Sequence, residues 1–192
     1  MKILETERLL LRTFQEDDVE SMIAINQDKK VMQFFPSVPT EEETIAFIDK
    51  VIAHQEQHGF SLYATEIKTT GEMIGFVGLF TATFEAYFTP ATEIGWRLSS
   101  KHWNQGYATE AAKAVLDYAF NERKLDEVVS FTSILNKPSI RIMQKIGMHT
   151  NSEDDFDNPN VPADSPLLKH VLYKIKRKEY VGGINVNKGI GE

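Results

Sequence analysis

Residues 106–122 limit the fold more than any other part of the chain. Ala108, Ala111, Ala112, Val115, Leu116, Ala119 and Phe120 recur in pairs four residues apart. That spacing stacks them on one face of a helix, and the face must be buried. Short apolar runs flank it, Glu93–Leu98 before and Val128–Thr132 after. Strand, helix and strand in that order form a βαβ-like unit, the part of the chain expected to carry any phosphate site.

The rest of the chain builds around this unit. Leu9–Phe14 reads as a first strand. Glu16, Asp17 and Asp18 place acids at the start of a helix, where the macrodipole favours them, and Val19, Met22, Ile23 and Asn26 mark one face of it. Thr40 followed by Glu43 is a capping box that opens a second helix. Its expected apolar stripe is Ile45, Ile48, Val51 and Ile52, and His58-Gly59 stops it. Phe60–Ile67 and Met73–Phe80, separated by Lys68-Thr69-Thr70-Gly71, predict an antiparallel hairpin. Gly95, inside Glu93–Leu98, suggests a bulge or a close backbone approach. Asn136–Ile146 is a helix stopped by Gly147, and Leu168–Ile175 is a last strand. Antiparallel strands followed by a βαβ-like unit predict an α+β, mixed-sheet fold. We expect one domain over residues 1–180, with 181–192 a mobile Gly- and Asn-rich tail.

Composition removes several function classes. The chain has 192 residues and no cysteine, which excludes disulfides, thiolate metal sites and a cysteine nucleophile. The net charge of -7 argues against a nucleic-acid partner and leaves cationic partners such as amines open. His54 and His58 lie four residues apart on a helix but no third ligand is in sight, so no metal is expected and the pair reads as a solvated helix face. No apolar run is long enough for a membrane span, and the N-terminus lacks a secretory cleavage site; the expectation is a cytoplasmic protein with no membrane partner.

Trp103-Asn104-Gln105-Gly106-Tyr107-Ala108-Thr109 carries the main functional signal. A glycine at a strand-to-helix junction, with alanine two residues on, lets a ligand approach the backbone. The free N–H groups of the helix's first turn then form an anion site without lysine. Neither the P-loop nor the dinucleotide fingerprint is present. Taken alone, the heptapeptide is read more readily as a plain loop-to-helix junction. Asn136-Lys137-Pro138-Ser139 opens the next helix after a strand, where Asn136 either caps the helix or reaches an amide-bearing ligand arm.

Three segments, in order and spacing, resemble the GNAT superfamily of acyl-CoA N-acyltransferases: LETERLLLRTFQEDD, EIGWRLSSKHWNQGYATEA and NKPSIRIMQKIGM. The branch they are most similar to contains the ribosomal-protein N-terminal acetyltransferases, and the resemblance spans about Leu4 to Lys176. It implies a central, mostly antiparallel sheet with two splayed strands, flanked by helices. It also implies acetyl-CoA as co-substrate, with the diphosphate on Asn104, Gln105, Gly106, Tyr107, Ala108 and Thr109. The pantetheine arm would run along the backbone of Trp96, Arg97 and Leu98, with Asn136 facing it from the neighbouring strand. Trp103 departs from the wider family's Gln or Arg, and Met143 stands where many members carry a tyrosine acid. Ser139, one turn earlier, is then the expected proton donor; a solvated serine is the alternative.

The activity implied is transfer of an acetyl group to a primary amine, either a protein N-terminal α-amine or a small molecule. Glu93 is the carboxylate nearest the reacting end and the expected base, or else an outward-facing strand residue. Without cysteine, a thiol-linked acyl-enzyme is excluded, which points to direct attack in a ternary complex. The acidic loop Glu153–Asp155 with Asp157 is either solubilising or a patch for a cationic acceptor. The loop aromatics Phe34, Phe35, Phe84, Tyr87 and Phe88 suit an acceptor pocket or a homodimer contact. A non-catalytic acyl-CoA-binding module and a cofactor-free interaction domain are the rival readings.

Overall fold

The computed structural model describes residues 1–184. Its strands are β1 (Lys2–Glu5), β2 (Leu9–Arg12), β3 (Leu62–Ile67), β4 (Glu72–Ala82), β5 (Ala91–Leu98), β6 (Glu127–Ser133), β7 (His149–Thr150), β8 (Phe156–Asp157) and β9 (Lys169–Lys176). The helices are α1 (Asp18–Gln27), α2 (Lys29–Met32), α3 (Glu41–His58), α4 (Tyr107–Asp117), α5 (Lys137–Lys145) and α6 (Arg177–Ile184). The expected α+β class holds: the sheet runs β1-β2-β3-β4-β5-β6-β9-β7, with β8 on β9, and every pairing except β5–β6 is antiparallel. α6 reaches into the expected tail; 185–192 lie outside the described residues. Among the described residues no helix is long and apolar enough to cross a membrane.

Local chemistry explains the helix starts. Thr40 and Glu43 close the capping box reciprocally, at 3.1 and 2.8 Å, and Gly59 ends α3 in the left-handed region. Asp18 does more than face the macrodipole. It is buried and accepts two bonds from the Arg12 guanidinium, at 2.6 and 2.9 Å, while Arg12 also reaches Glu66. This ties α1 to β2 and β3.

Helices cover both sheet faces and divide the core. One half packs α4 and α5 residues such as Ala111, Val115, Leu116 and Met143 onto Leu9, Ile74, Ile94 and Leu98. The other packs α1–α3 residues Met22, Ile25, Ile48 and Val51 onto Leu62, Ala64 and Phe76.

Four expectations need correction. Ile25, not Ile23, is the buried partner of Met22 in α1. On α3, Ile45 and Ile52 are exposed, and the buried stripe is Thr44, Ile48, Val51 and His54. Polar residues sit on that stripe because each has a partner: Thr44 accepts from Asn26, and His54 bonds the Phe60 carbonyl and the Thr81 hydroxyl. His54 is therefore not part of a solvated face, and burial lowers its pKa. Lastly, Gly95 carries neither bulge nor close approach; its pairing with β4 is regular. The irregularity falls in β4, where the register slips past Ile74. Gly75 has φ +133°, and a Cβ there would collide with the Arg97 carbonyl oxygen, so only glycine lets β5 pack this close.

Candidate active site

The β5–β6 junction organises the site. The two strands are parallel, are joined through α4, and pair at one position only, Glu93 with Val129. Beyond it no further backbone pair joins β5 to β6, and the sheet splays. Backbone groups in a strand alternate in direction. The Ile94 carbonyl accepts from Ser130 Oγ on β6 and the Leu98 carbonyl accepts from Trp103 Nε1, whereas the Arg97 carbonyl faces Gly75 on β4. Trp96, between Ile94 and Leu98 in this alternation, therefore aims its N–H and C=O at the gap. Of the expected backbone track, Trp96 and Leu98 face the opening and Arg97 faces away.

The front of α4 closes one end of the gap. Asn104 and Gly106 both have positive φ, 60° and 85°, and turn the chain into the helix. Gly106 is the N-cap and offers no side chain, so the first-turn amides of Tyr107, Ala108 and Thr109 have no side-chain cap. α3 and α5 are capped by Thr40 and Asn136, whereas α1, like α4, has no side-chain cap. Four orphan N–H groups plus the dipole attract an anion.

Arg8 buttresses this turn and carries no local signal in the sequence, because its partners lie 97 and 102 residues away. Its guanidinium donates to the Gln105 carbonyl at 2.9 Å, pairs with Glu110 at 2.6 Å and lies 4.4 Å from the Tyr107 ring centre. Burial opposes ionisation of Glu110, but bonds from Thr6 and Arg8 outweigh it and hold the carboxyl below its usual range. The turn is thereby fixed to the β1–β2 connection.

Side chains of β5 split between the two faces. Trp96 points to the α4–α5 side, where its indole N–H donates to Ser139 Oγ at 3.3 Å. Asn136 accepts from the Ser139 N–H at 3.3 Å and donates to Thr132 at 2.9 Å, so capping occupies its oxygen while its amide nitrogen keeps a second hydrogen. Met143 is buried in the core and offers no donor. Glu93 points to the opposite face. It pairs across the ladder with Phe80, whose ring stacks on His54 of α3. Burial pushes the Glu93 carboxyl up to about 8, and among the described residues no cation pairs with it.

The structure also sorts the loop features. Phe84 and Phe88 pack with Phe131 and Phe156 at the far end of the sheet, while Phe35 lies over the Arg97 guanidinium, 4.4 Å from its ring centre. Asp154 is engaged by Lys174 at 3.1 Å and by the Tyr87 hydroxyl at 3.0 Å.

The splayed βαβ unit with its uncapped glycine turn agrees with the sequence comparisons. The acetyltransferase (GNAT) domain family matches residues 8–149. The chain belongs to that family, and so to the acetyltransferases. It is 31% identical over 179 residues to a Bacillus subtilis protein described as "Uncharacterized N-acetyltransferase YnaD", covering 92% of this chain and 98% of that one. It is 30% identical over 192 residues to the Aspergillus fumigatus FsC-acetyl coenzyme A-N(2)-transacetylase, covering 93% of this chain and 77% of that one. A GNAT-family acetyltransferase structure from Bacillus anthracis superposes with a TM-score of 0.76 at 32% identity, covering 93% of this chain and all of the other.

Proposed function

We propose that the protein transfers an acetyl group from acetyl-CoA to a primary amine by direct attack in a ternary complex, with residues 1–180 as one cytoplasmic transferase domain. The observation that carries this reading is the uncapped front of α4 beside the splayed strand pair. The Aspergillus relative, whose name specifies acetyl-coenzyme A, supports the choice of donor. The amides of Gly106, Tyr107, Ala108 and Thr109 hold the diphosphate on the turn shaped by Asn104 and Gln105, and Arg8, neutralised by Glu110, fixes that turn in place. The Trp96 carbonyl and the Leu98 N–H pair with the amides of the arm, as in β-augmentation. Asn136 contributes its remaining amide hydrogen.

Glu93 and Ser139 flank the gap from opposite faces, which suits the two proton movements. The amine approaches from the α3 side. Glu93, directly or through a water, takes its proton as the C–N bond forms. The Trp96 N–H stabilises the charge on the carbonyl oxygen. The C–S bond breaks toward the α5 side, where Ser139 passes a proton to the thiolate as it takes one from solvent. Because Ser139 Oγ accepts from Trp96 Nε1, its own hydrogen is free to be donated. The resemblance to the ribosomal-protein branch favours a protein N-terminal α-amine over a small-molecule amine as acceptor.

A panel of amines incubated with acetyl-CoA, read as free thiol, tests this reading. Thiol release that depends on the amine is expected, with intersecting double-reciprocal lines. Parallel lines contradict direct attack. Tight acetyl-CoA binding without release for any amine points instead to a non-catalytic binding module, the reading favoured by the buried Met143.

A further inference from the structure

Arg97 is a partly buried cation without a counter-ion. Its Nη1 donates to Asn26 Oδ1 at 2.8 Å, and Asn26 is itself buried and held by Thr44 at 3.0 Å. Its Nε is shielded from solvent and has no hydrogen-bond partner. Phe35, Phe76 and Phe47 surround the guanidinium, with ring centres 4.4, 5.5 and 6.0 Å away. Among the described residues no carboxylate lies within 4 Å of it, unlike Arg8 with Glu110 and Arg12 with Asp18. Burying a charge unpaired is costly, and an orphaned buried donor calls for a physical cause.

The cause is found in the hollow next to it. A cavity of about 290 Å³ opens on the α1–α3 side, lined by Asn26, Ser37, Pro39, Glu43, Phe47 and Arg97. With Nη1 committed to Asn26, the Nη2 group makes no hydrogen bond and, unlike Nε, is not sealed from solvent. Its N–H donors can meet a carboxylate that enters the hollow in a charge-assisted bond. Glu43, whose carboxylate caps α3 through Thr40, is an acid in the lining and disfavours a more highly charged anion such as phosphate.

We propose that this hollow is an acceptor subsite for a carboxylate, so that the amine substrate also carries an acidic group. The inference rests on the proposed transfer reaction, which brings the amine to Glu93 on the same sheet face. Glu93 and Arg97 are four residues apart on β5, which spaces their Cα atoms by ~13 Å. A peptide of three or four extended residues covers that span at ~3.3–3.6 Å each. The carboxylate comes from a short peptide's C-terminus or from an acidic side chain near a protein N-terminus.

Three acceptors separate these sources: trialanine, trialanine amide, and C-terminally amidated alanyl-alanyl-glutamate. Each is measured in turnover with acetyl-CoA, and in calorimetric binding to protein saturated with coenzyme A. The expected result is KM and Kd on the order of 10-fold lower for trialanine or the glutamate peptide than for the amide. Preference for trialanine alone identifies a free C-terminus; preference for the glutamate peptide identifies a side chain. The Arg97→Gln variant is expected to lose the preference, and Arg97→Lys to regain part of it. Acid-selective binding without turnover sinks the transfer reaction and leaves the subsite standing. Turnover without acid preference does the reverse. Equal values for all three peptides in the unmodified protein, whatever the variants do, overturn the proposal.

Discussion

Gly106→Glu is expected to abolish acetyl-CoA binding, with an affinity loss on the order of 100-fold or more. Two effects combine. The new carboxylate occupies the place of the diphosphate and repels it, and the first-turn amides lose their charge-assisted bonds, each worth roughly 1.5–3 kcal/mol. Every 1.4 kcal/mol is tenfold, so losing two such bonds already exceeds 100-fold. The fold is expected to survive. Gly106 lies at the surface with φ 85°, and the nearest atom to a Cβ at this position would be Arg8 Nη2 at 3.3 Å, the end of a flexible side chain. A side chain at positive φ costs on the order of 1–2 kcal/mol. The check is a thermal shift. Ligand at 100 times Kd stabilises the unmodified protein by ~2.7 kcal/mol, and at the same concentration the variant gains ~0.4 kcal/mol or less. A shift of equal size in both proteins removes the turn from the binding site.

The second large effect concerns Glu93. Glu93→Gln is expected to lower kcat on the order of 100-fold, at the low end of what a positioned general base supplies, with acetyl-CoA affinity unchanged. Burial raises the carboxyl from an ordinary 4.5 to about 8, so the basic form dominates only above that pH. Turnover of the unmodified protein therefore rises through pH 8. The deficit of the variant is greatest above it and narrows below, where both proteins lack a base. Stability runs the other way. Between 4.5 and about 8 the folded protein holds a proton that the unfolded chain has released, so Glu93 stabilises the fold below this window and the contribution is lost as pH rises. The glutamine introduced by the substitution does not titrate, so the melting temperature of the variant is expected to gain on the unmodified protein as pH rises through the window. Equal pH–rate profiles for the two proteins remove Glu93 from the chemistry.

What was legible in the sequence was local. The Thr40–Glu43 capping box, the Gly59 stop, the Asn136 cap and the alanine-rich face of α4 each depend on residues within about one turn of one another, and each is found in place. The features that were missed depend on distant partners. Thr44 and His54 sit on the buried stripe of α3 because Asn26, Phe60 and Thr81 satisfy them, which displaces the expected isoleucines to the surface. β1 is four residues long, two of them charged, and exists because it pairs with β2. The bulge expected at Gly95 lies across the ladder in β4, since a glycine in a strand announces a close approach without saying which strand must yield. At the site, the turn and the two strands were visible as motifs. Arg8 and the unpaired Arg97 were not, because a lone arginine shows its meaning only once its neighbours, or their absence, are known.

The central claim is that the open amides at the front of α4 grip the diphosphate of the donor. A crystal structure with coenzyme A tests it most directly. The account predicts diphosphate oxygens at ~2.7–3.2 Å from the N–H groups of Gly106, Tyr107 or Ala108, with the arm lying against Trp96. A diphosphate bound elsewhere, with those amides facing only water, contradicts it.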